Sequence, residues 1–221
     1  MNLVPETLYV DDALLVINKP AGLLSIPDGY DSSIPFLRGV LEPEFGKLWV
    51  VHRLDKDTSG VVVLARTAES HRDLNTQFEK HTVEKVYRAL IEGDPDWKEH
   101  TVSAPLRANV GRRKRTTVDY QRGKMAATRF KVLARMSGIS LLEVYPHTGR
   151  THQIRAHLYH LGFSILSDPL YGSSEQTSII TRLALHAKSL AIHHPTTAEP
   201  ITFDAAYPED FGAALTALQS F

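Results

Sequence analysis

The chain has no cysteine among its 221 residues, which excludes disulfides and thiolate metal sites and fits a reducing compartment. No apolar run approaches the roughly 20 residues of a membrane-spanning helix. The N-terminus offers Pro5, Glu6, Asp11 and Asp12 where a secretion signal would be basic. These absences point to a cytoplasmic protein with no membrane contact. The chain also lacks a His-Glu-x-x-His pair, a phosphate-cradling Gly-x-x-x-x-Gly-Lys loop and any internal repeat, which leaves no metal site and no nucleotide cofactor to assign. A hydrophobic content of 43% is ordinary for a globular protein with a sizeable core, so disordered and fibrous classes are excluded.

Net charge is also missing, but the balance hides a segregation. Residues 101–150 carry eleven basic side chains against Asp119 and Glu143, a local net charge of +9 that the rest of the chain offsets. A basic stripe on a neutral protein is what a polyanion such as a nucleic acid requires. Within it, Arg112, Arg113, Lys114 and Arg115 follow Gly111 without interruption. Four adjacent cations repel one another unless an anion lies across them, and they are expected to stay exposed; the bland alternative is a solvated charged hairpin.

Along the chain, residues 8–20 read as a hairpin with an Asp11-Asp12 turn, closed by Pro20. Residues 25–47 form a loop excursion with a short helix near Phe36 to Leu41. Strand-like runs stand at 48–51 and 61–66. Thr67 is the expected N-cap of a helix from Ala68 to about Lys80, with Leu74 and Phe78 on its buried face. Residues 84–93 have strand character. Residues 94–127 are expected to be irregular, and 127–133 and 140–146 to pair antiparallel across Met136, Ser137 and Gly138. Ile154, Leu158 and Leu161 mark the core face of a helix that Gly162 ends and that Thr148 or Thr151 caps, with Arg155, Tyr159 and His152 off the apolar stripe. Residues 209–221 read as a terminal amphipathic helix.

The chain is organised around His52-Arg53-Leu54-Asp55-Lys56-Asp57-Thr58-Ser59-Gly60, a polar loop between two apolar runs. An acid between buried strands must be solvated or paired with a cation, since an unpaired interior carboxylate is prohibitively costly. On residue type alone Asp55 is either a turn acid before a glycine or a site acid. The run resembles the active-site motif of the RluA-type pseudouridine synthases, His-Arg-Leu-Asp followed by two variable residues and Thr-Ser-Gly, at all seven fixed positions. Similar too are Asn18-Lys19-Pro20-Ala21-Gly22, a strand end and turn that can approach the active site; the Lys85-x-Tyr87 pattern; His147 to Leu158 with its Thr148-Gly149-Arg150 turn; and Ser167 to Gly172, where the commoner family form has Gly at Ser167.

The resemblance runs from about residue 8 to 210. It implies a single α+β catalytic domain over residues 1–221, on a mixed, mainly antiparallel sheet with flanking helices, with no separate N-terminal RNA-binding domain. The implied activity is isomerisation of uridine to pseudouridine in ribosomal or transfer RNA, by base flipping, without cofactor or metal, as a monomer with no obligate protein partner. It makes Asp55 the catalytic carboxylate, Arg155 its ion-pair partner and Tyr87 the stacking platform and possible proton acceptor at carbon 5. Arg53 is placed to fill the gap left by the flipped base. His52, Thr58, Arg150 and the run Arg112, Arg113, Lys114 and Arg115 are the further expected RNA contacts. Two other classes compete: an inactive RNA-binding module on the same fold, against which intact Asp55, Tyr87 and Arg155 argue, and a hydrolase using Asp55 with Asp57, which lacks a second acid at a convincing distance.

Overall fold

The structure, a computed structural model, describes residues 3–136, 138–172 and 179–219. Its strands and helices follow in the order β1 (Glu6–Val10), β2 (Leu14–Lys19), α1 (Leu37–Phe45), β3 (Trp49–Val50), β4 (Ser59–Ala65), α2 (Ala68–Glu79), β5 (Glu84–Glu92), β6 (Glu99–Ser103), β7 (Leu106–Val110), β8 (Arg115–Val118), β9 (Ala127–Met136), β10 (Ile139–Pro146), α3 (Gln153–His160), β11 (Leu185–His193), β12 (Pro200–Asp204) and α4 (Glu209–Gln219). This is the expected α+β architecture, with a mixed, mainly antiparallel sheet and flanking helices. The described residues fall into two compact units: those of 3–85 with 187–206, and those of 86–186 with 207–219. Among the described residues no helix is long and apolar enough to cross a membrane.

In the first unit Asp11 makes the opening hairpin. Its carboxylate accepts the backbone N–H groups of Ala13 and Leu14 at 2.8 and 2.7 Å, an Asx turn that reverses the chain between β1 and β2. Burial opposes ionisation of Asp11, yet the N–H groups of Leu14 and Ala13 and the Tyr9 hydroxyl together hold its carboxyl below the usual range. Strand β2 pairs with β4 from Leu14↔Ala65 to Lys19↔Gly60, and β3 pairs with β4 at Trp49↔Ala65 and Val50↔Leu64. Every residue of β4 is buried, as a continuous apolar run in a covered strand should be. Thr67 caps α2 as expected, its hydroxyl accepting the N–H of Ser70 at 3.1 Å. Leu74 of that helix packs in the core with Leu14, Val16, Val61, Val63, Leu190, Ile192 and Phe203, and Phe78 lies against it.

In the second unit β10 is flanked by β5 and β9, and β9 by β6, all antiparallel. The expected β9–β10 pairing is observed, with Met136 opposite Ile139; Ser137 lies outside the described residues. The stretch 94–127 is more regular than its composition indicates: it holds β6 and the β7–β8 hairpin, a two-stranded sheet of its own. Its polar, cation-rich strands hide the period-2 signal because the hairpin is exposed along much of its length. The core gathers Leu90, Phe130, Leu142, Val144, Leu158, Leu166 and Phe211. Phe211 belongs to the expected terminal helix, whose last two expected residues, Ser220 and Phe221, are outside the described residues.

Candidate active site

The first unit carries His52, Arg53, Asp55 and Thr58 on the loop between β3 and β4. Loops are usually the mobile parts of a structure, but this one is clamped on both sides of the acid. On one side, Leu54 is buried and its backbone is held twice by Ser25: the Leu54 N–H donates to Ser25 Oγ at 3.0 Å, and that hydroxyl donates to the Leu54 carbonyl at 2.8 Å. On the other side, the Lys56 carbonyl accepts the Gly22 N–H at 2.8 Å and the Lys19 ammonium at 3.0 Å. Lys19 is fully buried at 0% exposure, and its ammonium also donates to the carbonyls of Pro20 at 2.9 Å and Leu23 at 2.7 Å. Three carbonyls match the three N–H donors of an ammonium. The Thr58 N–H donates to the Asp55 carbonyl at 3.1 Å and closes the turn. Asp55 is thereby half-buried on a fixed backbone, the condition under which a carboxylate can be aimed.

Along this loop Arg53 is exposed and Leu54 buried. His52 and Thr58 serve packing. Thr58 is buried at 2% exposure. The His52 ring stacks on Phe78 with centroids 4.7 Å apart, and its Nε2 accepts the Val63 N–H at 3.0 Å. That bond requires an unprotonated Nε2, so the neutral ring carries its proton on Nδ1. Burial, aided by the charge of Lys85, pushes the His52 pKa down to about 3. Burial likewise lowers the Lys85 ammonium to about 8.

Tyr87, Arg150, Arg155 and the basic run belong to the second unit. Tyr87 stands on β5 opposite Val144 of β10, half-buried against the core. Arg155, expected off the apolar stripe of α3, is buried at 5% exposure, because both the apolar and the polar faces of that helix are covered from Gln153 to Leu158. Its guanidinium forms a two-point ion pair with Asp168, Nε to Oδ2 and Nη2 to Oδ1, both at 2.7 Å. Asp168 Oδ1 also accepts the N–H groups of Leu170 and Tyr171. The Tyr171 ring lies 5.1 Å beneath the guanidinium, and its hydroxyl accepts the Thr116 N–H and donates to the Thr116 carbonyl. Bidentate geometry fixes the plane of Arg155 and uses two of the five N–H donors of a guanidinium.

The helix start is also corrected. Neither Thr148 nor Thr151 caps α3; its N-cap is His152, in the left-handed region at φ 51°, with no side-chain cap. Thr148 instead donates to Gln153 Oε1 at 2.6 Å, which also accepts the Arg150 N–H at 3.0 Å, so that glutamine shapes the Thr148-Gly149-Arg150 turn. Ser167 is left-handed too, at φ 55°, which is why glycine suits that position. Of the basic run, Arg112, Arg113 and Lys114 are exposed at the hairpin tip, but Arg115 is not the solvated cation expected. Its guanidinium lies 5.6 Å from the rings of both Tyr159 and Tyr171, and its Nε is buried. Aromatic faces supply the favourable field that was expected only from an anion.

Sequence reasoning quoted Lys19 and Asp168 within motifs without assigning their contacts, and it missed Ser25. A lysine ending an apolar strand was a usable signal; the Ser25 contact joins residues 29 apart and left none.

The family model described as RNA pseudouridylate synthase matches residues 13–160. The chain is 39% identical over 224 residues to the ribosomal large subunit pseudouridine synthase D of Zymomonas mobilis, covering 93% of this chain and 70% of that protein. It is 38% identical over 205 residues to the dual-specificity RNA pseudouridine synthase RluA of Escherichia coli K12, covering 92% and 93%. Among solved structures, human RNA pseudouridylate synthase domain containing 4 superposes with a TM-score of 0.79 at 24% identity, over 97% of this chain and 93% of that one, a likeness of fold.

Proposed function

Because the chain belongs to the RNA pseudouridylate synthase family, we propose that it isomerises uridine to pseudouridine in ribosomal or transfer RNA, with Asp55 as the catalytic carboxylate. The observation that carries the assignment is the clamp around Asp55: a polar loop held at Leu54 by Ser25 and at Lys56 by Lys19 and Gly22. The reaction breaks the bond from ribose C1′ to uracil N1, turns the base and joins C1′ to C5. N1 gains a proton and C5 gives one up, so atoms and electrons balance without an oxidant, a reductant or a cofactor. Sugar adduct, base adduct and elimination routes share this balance, and each requires a carboxylate at the ribose or base.

Arg155 is the cation proposed to pair with Asp55, with Asp168 holding its plane. Tyr87 is the stacking platform and a proton acceptor at C5. A uridine in folded RNA reaches such a pocket only when extruded, and Arg53, exposed two residues before Asp55, fills the vacated stack. Arg150, Arg112, Arg113 and Lys114 supply phosphate contacts. The enzyme acts in the cytoplasm as a monomer, the whole chain forming one catalytic domain.

The test is tritium release from RNA labelled at uracil C5, since of the synthase, the inactive binding module and the hydrolase only the synthase expels that hydrogen. Asp55→Asn keeps the shape of the side chain and loses its nucleophilic or basic oxygen, so release should stop while the fold and RNA binding persist. Residual activity within about tenfold of wild type would overturn the assignment. RNA binding by the wild type without any tritium release would make the chain a binding module.

A further inference from the structure

Tyr171 is a buried aromatic residue of the second unit to which the proposed chemistry gives no part. It ends the turn that Asp168 begins: Asp168 Oδ1 accepts the N–H groups of Leu170 and Tyr171 at 2.9 and 3.0 Å, and the Asp168 carbonyl accepts the Gly172 N–H at 2.9 Å. The same carboxylate holds the Arg155 guanidinium at two points. A bidentate pair resists sliding within the common plane, and rocking out of that plane remains the soft motion. The Tyr171 ring, its centroid 5.1 Å from the guanidinium carbon, stands against that motion. The Arg115 guanidinium lies 5.6 Å from the same ring, and the His152 and Tyr159 rings meet it at steep angles, 5.9 and 5.8 Å between centroids.

The far end of the side chain decides where the ring sits. Its hydroxyl accepts the Thr116 N–H at 2.7 Å and donates to the Thr116 carbonyl at 3.0 Å. Burial raises the pKa of that hydroxyl, which keeps the proton that the second bond needs. Both bonds go to the backbone of β8, so the ring follows the strand. Strands β7 and β8 form a two-stranded sheet of their own, an arrangement that is marginal in water unless it packs on something larger. Its dock is a small cluster of Leu106, Ala126, Ala156 and Tyr171. One side chain thus braces the hairpin on one side and the Arg155 guanidinium on the other.

We propose that Tyr171 is a positioning residue for the reaction: its ring holds Arg155 in the orientation that catalysis requires, and its hydroxyl takes that placement from the backbone of the β7–β8 hairpin. The inference rests on the functional reading above for the role of Arg155. Tyr171 touches no reacting atom and acts through the guanidinium, whose part is to pair with the catalytic carboxylate and not to hold RNA. Loosening it therefore falls on kcat and leaves KM nearly in place.

The experiment makes two measurements on Tyr171→Phe, which keeps the ring and removes the hydroxyl, beside the wild type at a temperature where both are folded. In tritium release from total RNA, labelled at uracil C5 in cells lacking the enzyme, kcat should fall by about tenfold while KM stays within about threefold. In nitrogen-15 relaxation, the order parameter of the Arg155 Nε–H should fall. That of Arg182, whose Nε and Nη2 bind Asp210, should not change. Leu106→Ala is the second variant: it loosens the hairpin dock without touching the hydroxyl, and it should move kcat and the Arg155 order parameter in the same direction. A merely structural tyrosine would lower the melting temperature and leave both readouts in place, which overturns the proposal. A change in kcat or in the Arg155 order parameter without the other overturns it too. If the wild type releases no tritium, the functional reading fails, and the order parameter decides by itself whether Tyr171 holds Arg155: a fall in Tyr171→Phe supports it, an equal value rejects it.

Discussion

Lys19 shows how a single side chain can set the geometry of a neighbouring loop. Its buried ammonium joins the carbonyls of Pro20 and Leu23 to that of Lys56, next to Asp55. Lys19→Met fills similar volume but leaves the carbonyls of Pro20 and Leu23 without this donor and the Lys56 carbonyl with the Gly22 N–H alone. The expected cost is about 3 kcal/mol, read as a lowered denaturant midpoint at unchanged slope. Turnover at a temperature where the variant is folded should fall at least about tenfold, because the loop that aims the carboxylate is loosened; an unchanged kcat would show that the loop holds without the clamp. Gly60 has a different reason for its identity. Its φ is +118°, and a Cβ there would stand 2.1 Å from the Ala187 carbonyl oxygen, on a backbone that cannot yield. Gly60→Ala should cost more than about 4 kcal/mol, seen as loss of the cooperative thermal transition.

At the scale of the element, the β7–β8 hairpin separates cations that look alike in sequence. Arg112, Arg113 and Lys114 at its tip are exposed, and Arg115 at the start of β8 lies against Tyr159 and Tyr171. Replacing the first three with Ala should leave the melting temperature unchanged and flatten the salt slope of RNA binding by up to about 2 units. Arg115→Ala should instead destabilise by about 1 kcal/mol through lost cation–π packing, with less effect on the slope. Melting curves and salt titrations of the two variants separate these effects; identical behaviour would show that the hairpin treats all four alike.

For the whole molecule, acid stability should report on His52. Its folded pKa is about 3 against an ordinary 6.5. Between those values the unfolded chain binds a proton that the folded one refuses, so stability is fully present above 6.5 and is lost as pH falls towards 3. The slope from this group approaches about 1.4 kcal/mol per pH unit. His52→Gln keeps an acceptor for the Val63 N–H without a titratable ring, so urea midpoints across that range should show a gentler acid loss in the variant; parallel profiles would exclude the histidine. Lys85 acts at the other end. Its value of about 8 lies below the ordinary 10.5, so it makes stability rise as pH climbs between the two.

The local features were legible because their causes are local. The Asp11 turn, the Thr67 cap, the apolar run of β4 and the antiparallel β9–β10 pair each follow from residues a few positions apart, and the motif from His52 to Gly60 marked the loop that carries Asp55. Arg155 illustrates the limit. Helical periodicity put it off the apolar stripe, but a buried side chain is decided by what covers it, here Asp168 and Tyr171. Arg115 was read as solvated for the same reason, since the aromatic rings that receive it lie 44 and 56 residues further along the chain. Side-chain charge and backbone periodicity are written in the sequence. Which partner neutralises a charge, and whether a glycine faces open space or the Ala187 carbonyl, depends on chain segments that only tertiary packing brings within a few ångströms of each other.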